Sequence, residues 1–110
     1  ASMPRSKRFE ALFDAGEVGR RLIVRGFKNG DRIAPLGMTG TRKVQDVFVD
    51  YKLARARRPT WPLIEAECGL LWVPGMVRSR HALVTSATQT ILRLTVQREA
   101  TTENTSLLRI

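Results

Sequence analysis

Seven cations are spaced so that they could grip an anionic backbone: Arg32, the adjacent Arg42 and Lys43, then Lys52, Arg55, Arg57 and Arg58. Clustered guanidinium and ammonium groups neutralise phosphates and release condensed counterions. Between Arg32 and Arg42 runs a loop punctuated by Gly37 and Gly40, and beyond Gly40 the chain reads as the start of a helix. Thr41 reads as its N-cap, and backbone amides of Thr41, Arg42 and Lys43 at such a start would add donors for a phosphate. Arg78 and Arg80, farther along, are candidates for additional contacts.

Other chemistries find less support. A nucleophilic triad would have to use His81, the single histidine, and no Gly-x-Ser-x-Gly elbow is present, so a surface histidine in a basic loop is the better reading. Cys68 is the single cysteine, which leaves neither an intramolecular disulfide nor a Cys/His zinc site and is compatible with a reducing, cytoplasmic setting. Asp46 and Asp50 are spaced four apart on one helical face and could hold Mg²⁺ with phosphate oxygens, but Arg42 stands four before Asp46, so ion pairing is preferred. The glycine loop matches neither a Walker nor a dinucleotide pattern. Trp61 and Trp72 could stack on bases, yet Leu63, Ile64, Leu71 and Val73 beside them favour packing in the core.

Charge points the same way as the motif. The chain carries 19 Lys and Arg against 10 Asp and Glu, a net of +9. Residues 1–60 hold 14 of the cations and 6 of the acids, whereas residues 61–110 hold 5 and 4. That asymmetry argues for one basic face and a nucleic-acid partner. No long apolar span or Lys-rich amphipathic helix with a bulky aromatic face supports a membrane.

The elements that must position these groups belong to a small single α+β domain of short, mostly antiparallel strands with one main amphipathic helix, about 41–52. Val44, Val47, Phe48 and Tyr51 form its apolar stripe. The loop before it, with Pro35 and its glycines, must be held by Leu36 and Met38 dipping into the core. Phe9–Phe13 reads as a strand ending in the Asp14–Gly16 turn, and Leu22–Val24 as a second run that could pair with it. Trp61–Ala66 and Leu70–Val73 read as a hairpin around Glu67–Gly69, and Ile91, Leu92, Leu94 and Val96 as a last strand with Arg93, Thr95 and Gln97 on its other face. Residues 1–8 read as a disordered basic leader or an expression remnant, 9–98 as the folded domain, and 99–110 as a frayed tail.

In order along the chain stand Leu12-Phe13-Asp14, Gly30-Asp31-Arg32, Pro35-Leu36-Gly37-Met38 with Gly40, Arg42-Lys43, Asp46, Phe48 and Asp50, Pro62-Leu63, and Trp72-Val73-Pro74-Gly75. This series resembles the C-terminal domain of bacterial tRNA(Ile)-lysidine synthetase, across roughly Phe9–Arg98. The chain departs from that pattern at Arg42, where lysine is usual, at Ala54, where proline is usual, and at Val77 and His81, where arginine is common.

The resemblance implies a tRNA-binding domain that docks the acceptor end of a minor isoleucine tRNA, non-catalytic by itself. The parent is an ATP-dependent ligase that converts the wobble cytidine to lysidine; its ATP and Mg belong to a separate catalytic domain of the same enzyme, and no cofactor is expected in this chain. The alternative reading is a protein-interaction domain packing on its own enzyme or an acidic partner, with a homodimer through the Trp61–Val73 hairpin as one arrangement.

Overall fold

The computed structural model describes residues 8–98 and 106–109, so most of the expected leader, and of the expected tail all but 106–109, lie outside the described residues. Two sheets and a short ribbon build the domain. Strand β1 (Glu10–Asp14) runs into a single helical turn, α1 (Ala15–Val18), capped where the Asp14 carboxylate accepts the Glu17 N–H at 3.2 Å. Strand β2 (Ile23–Arg25) comes next, then the ribbon of β3 (Arg32–Ile33) and β4 (Arg42–Lys43), helix α2 (Val44–Asp50) and a 3₁₀ helix at Arg55–Thr60. Strands β5 (Leu63–Ala66), β6 (Gly69–Val73), β7 (Val77–Arg78), β8 (Ile91–Arg98) and β9 (Ser106–Arg109) complete the chain.

The expected hairpin is β5–β6, and it lies inside a four-stranded antiparallel sheet of order β2-β5-β6-β7. Both faces of its central strands β5 and β6 are covered, which is why β6 is apolar without a break rather than alternating. Ile64, Ala66, Leu71 and Trp72 pack against Ala11, Phe13, Leu94 and Val96 of the three-stranded sheet β1-β8-β9. Leu63, Leu70 and Val73 pack on the other side against Ile33, Val44, Val47, Phe48 and Leu53. Strand β8 keeps its alternation, burying Leu94 and Val96 and leaving Arg93 and Gln97 exposed.

Four expectations are corrected. The first two β-runs do not pair: β1 pairs with β8, Asp14 opposite Ile91, and β2 pairs with β5, Ile23 opposite Glu65, because the α1 turn and Gly19 carry the chain from one sheet to the other. The helix is shorter at both ends than 41–52, starting at Val44 because Arg42 and Lys43 are spent on pairing with β3. Leu36 and Met38 do not enter the core but stand 48% and 51% exposed. Within the expected tail, Ser106–Arg109 pairs with β8.

Candidate nucleic-acid interface

The β3–β4 ribbon sorts its cations by face. Residues directly opposite on an antiparallel pair share a face. Ile33 lies opposite Arg42 and is buried, so Arg42 turns toward the body and forms an ion pair with Asp50, not with Asp46. Arg32 lies opposite Lys43, and both are exposed. The two cations that sit side by side outward are therefore Arg32 and Lys43, a pairing across strands that adjacency in sequence hides. Arg32 is further oriented by Nε donating to Thr41 Oγ1 at 2.7 Å.

The helix does not start at Thr41. Thr41 is not the cap, Lys43 occupies that position without a side-chain hydrogen bond, and the Val44 N–H donates to the Asp31 carbonyl at 2.9 Å. Asp31 is itself fixed from below: Arg25 donates to both of its carboxylate oxygens at 2.9 Å and to Glu65 at 3.2 Å. Burial would raise the Asp31 carboxyl, but the Arg25 guanidinium and the Lys28 N–H outweigh it and hold the group below the usual carboxylate range. Neither Arg25 nor Asp31 stands out in the sequence as a bonded pair, because their bidentate bond closes a loop and leaves no periodic signature.

Between β3 and β4 the glycine loop is tied down by its backbone. The Leu36 N–H donates to the Arg78 carbonyl at 3.0 Å, the Arg80 N–H to the Ala34 carbonyl at 2.9 Å, and Arg80 Nη1 to the Met38 and Gly40 carbonyls at 3.0 and 2.7 Å. Gly37 takes a φ of +87°, a conformation that costs a side-chain-bearing residue. Arg80 is thus the clasp that Leu36 and Met38 were expected to be.

Arg78 faces inward. Its Nε, Nη1 and Nη2 donate to the carbonyls of Ser79, Leu12 and His81 at 2.9, 2.6 and 3.1 Å, and its guanidinium lies 4.2 Å from the Phe13 ring centroid. Burial pulls its pKa below the ordinary arginine value. It bolts β7 to β1, and so joins the two sheets. His81, half-buried, donates its N–H to Ser79 Oγ at 3.2 Å.

The basic segment after α2 is docked yet leaves most of its cations outside. Lys52, at a positive φ of 57°, turns the chain so that Leu53 is buried while Lys52, Arg55 and Arg57 are exposed. Arg58 is half-buried, Nε on the Leu53 carbonyl at 3.2 Å and the guanidinium over Phe48. Arg57 lies 5.4 Å from the Trp61 ring centroid, and the indole N–H donates to the Pro74 carbonyl at 3.0 Å. Gly26 runs so close beneath that a Cβ there would collide with the Pro59 carbonyl. The Trp61 and Phe9 rings pack tilted with their centroids 6.4 Å apart, and Trp72 is buried, so both tryptophans serve packing.

The Trp61–Val73 hairpin offers little to a second copy, since β5 and β6 are flanked by β2 and β7 and buried on both sides. Among the described residues no three His, Cys, Asp or Glu side chains converge to hold a metal, and no helix is long and apolar enough to cross a membrane.

Comparison with known proteins converges on one family. Residues 22–96 match the TilS substrate C-terminal domain. The chain is 38% identical over 89 residues to the tRNA(Ile)-lysidine synthase of Symbiobacterium thermophilum, covering 81% of this chain and 18% of that protein. It is 40% identical over 80 residues to the synthase of Geobacter sulfurreducens, covering 73% and 17% respectively. The chain therefore spans less than a fifth of the length of these relatives. Among solved structures, a crystal structure of a TilS C-terminal domain superimposes with a TM-score of 0.69 at 32% identity, over 84% of this chain and 74% of that one. An N-terminal fragment of the phenylalanyl-tRNA synthetase β-subunit from Pyrococcus horikoshii shares the fold, with a TM-score of 0.64 at 17% identity over 76% of this chain and 26% of that one.

Proposed function

The chain belongs to the TilS substrate C-terminal domain family, and from that premise we propose that it is a non-catalytic tRNA-binding domain of a tRNA(Ile)-lysidine synthase, docking the acceptor end of a minor isoleucine tRNA. The observation that carries this reading is the separation of cation roles. Arg25 and Arg78 are consumed by the fold, while Arg32, Lys43, Lys52, Arg55 and Arg57 remain exposed on the β3–β4 ribbon and the segment after α2. Exposed cations contribute little to stability, and grouped ones suit a phosphate backbone.

In this reading the domain holds one end of the tRNA while a separate catalytic domain of the same enzyme, working in the cytoplasm with ATP and Mg, converts the wobble cytidine to lysidine. The chain's own residues position RNA and carry out no bond-making step.

Titration with the minor isoleucine tRNA at increasing salt tests this. The expected result is an affinity that falls steeply with salt, and a Lys43→Glu/Arg55→Glu variant that binds at least tenfold more weakly with a shallower salt slope and an unchanged thermal melt. Salt-independent binding, or an unaffected variant, overturns the reading.

A further inference from the structure

The tip of the β3–β4 loop combines features that charge alone does not explain. Leu36 and Met38 project at about half exposure although Ile33 and Ala34, just before them, are buried. The loop that carries them is fixed by hydrogen bonds from Arg80 Nη1 to the Met38 and Gly40 carbonyls and from the Leu36 N–H to the Arg78 carbonyl. Arg32 grips its far end through Thr41 Oγ1 at 2.7 Å and the Thr41 carbonyl at 3.4 Å, with Lys43 beside it. Two apolar side chains are thus held out on a pre-set backbone, bracketed by cations.

We propose that Leu36 and Met38 abut the exposed face of an unpaired nucleobase, with Arg32 and Lys43 disposed toward the phosphates beside it. This rests on the tRNA-binding reading above and specifies the part of the RNA met. Inside a duplex each base face is covered by its neighbours, so an apolar probe that does not unstack the helix finds a base face only at an unpaired strand or a helix end. At an acceptor end that strand is the unpaired 3′ extension. A protein partner is the weaker match, because two side chains flanked by two cations form too small an apolar patch for the roughly 800 Å² per partner that a stable protein interface buries. A loop already fixed binds without an ordering cost.

The experiment uses this chain with an RNA minihelix of the acceptor stem, prepared with its unpaired 3′ strand and blunt, against the wild type and a Leu36→Ser/Met38→Ser variant whose melt is checked. The expected result is that the wild type prefers the overhang by about tenfold, and that the variant binds both RNAs as the wild type binds the blunt one, with an unchanged salt slope. A variant that keeps the preference overturns the proposal. So does a wild type that binds tRNA in a salt-dependent way without any preference, and that outcome leaves the tRNA-binding reading standing. A wild type that fails to bind tRNA at any salt overturns both.

Discussion

Arg78 and Arg55 have the same side chain in two regions of one basic protein, and they do opposite things. Arg78 spends its donors on three main-chain carbonyls and lies against an aromatic ring between two sheets. Arg55 begins a 3₁₀ helix whose body is docked through Trp61, Arg58 and Gly26, and it stands exposed. In the first region the backbone is irregular around β7 and its carbonyls need partners, so the guanidinium fork supplies them. In the second a short helix makes its own turn bonds, the Arg57 N–H on the Ala54 carbonyl and the Trp61 N–H on the Arg58 carbonyl, and holds charge outward. A net charge therefore overstates the cations exposed at the surface, and hydrogen-bond accounting separates those from the ones the fold uses.

Deleting the inward arginine tests this contrast most severely. Arg78→Ala should cost about 3 kcal/mol, read as a drop of 10 °C or more in melting temperature, because three carbonyls lose a partner and a ring loses its cover. Arg78→Lys should recover less than half, since an ammonium cannot span the same fork. A full recovery would reduce Arg78 to a point charge and erase its difference from Arg55.

A second inward arginine, Arg25, extends the contrast to pH. Its partner Asp31 has a folded-state pKa below the unfolded value, so the bond's contribution is complete at neutral pH and disappears as pH falls below the ordinary carboxylate range and through the folded value. Asp31→Asn should be about 2 kcal/mol less stable than the wild type at pH 7 in urea unfolding, and the gap should close on acidification. A gap that persists in acid contradicts this account.

The smallest effect on stability concerns the docked segment. Gly26→Ala forces a methyl against the Pro59 carbonyl, which should cost about 1.5 kcal/mol. It should also weaken tRNA binding several-fold although no charge is removed, as measured by the same salt titration. Unchanged affinity would mean that the basic segment needs no fixed position to act.

Local pattern was enough for several elements. The β5–β6 hairpin was legible because two apolar runs flank a Glu-Cys-Gly turn, and β8 because its alternation reports one buried face. The apolar stripe of α2 was legible at Val44, Val47 and Phe48, all buried. Its start was not, because Arg42 and Lys43 have no local reason to be extended; the partner that makes them a strand is ten residues away at Arg32–Ile33.

Residue types and their order thus specify the ingredients: an α+β domain, its family through an ordered series of motifs, and a surplus of cations concentrated in one half. The hydrogen-bond partner and the exposure of each cation are set in three dimensions. Cross-strand register placed Lys43 beside Arg32 and turned Arg42 to Asp50, and unsatisfied carbonyls around the loop and β7 claimed Arg80 and Arg78. Packing also left Leu36 and Met38 outside, since the body already had its fill from Ile33 and α2. One cause underlies all of these: a side chain's type is local, whereas its hydrogen-bond partner and its face of a strand are set by a segment distant in the chain.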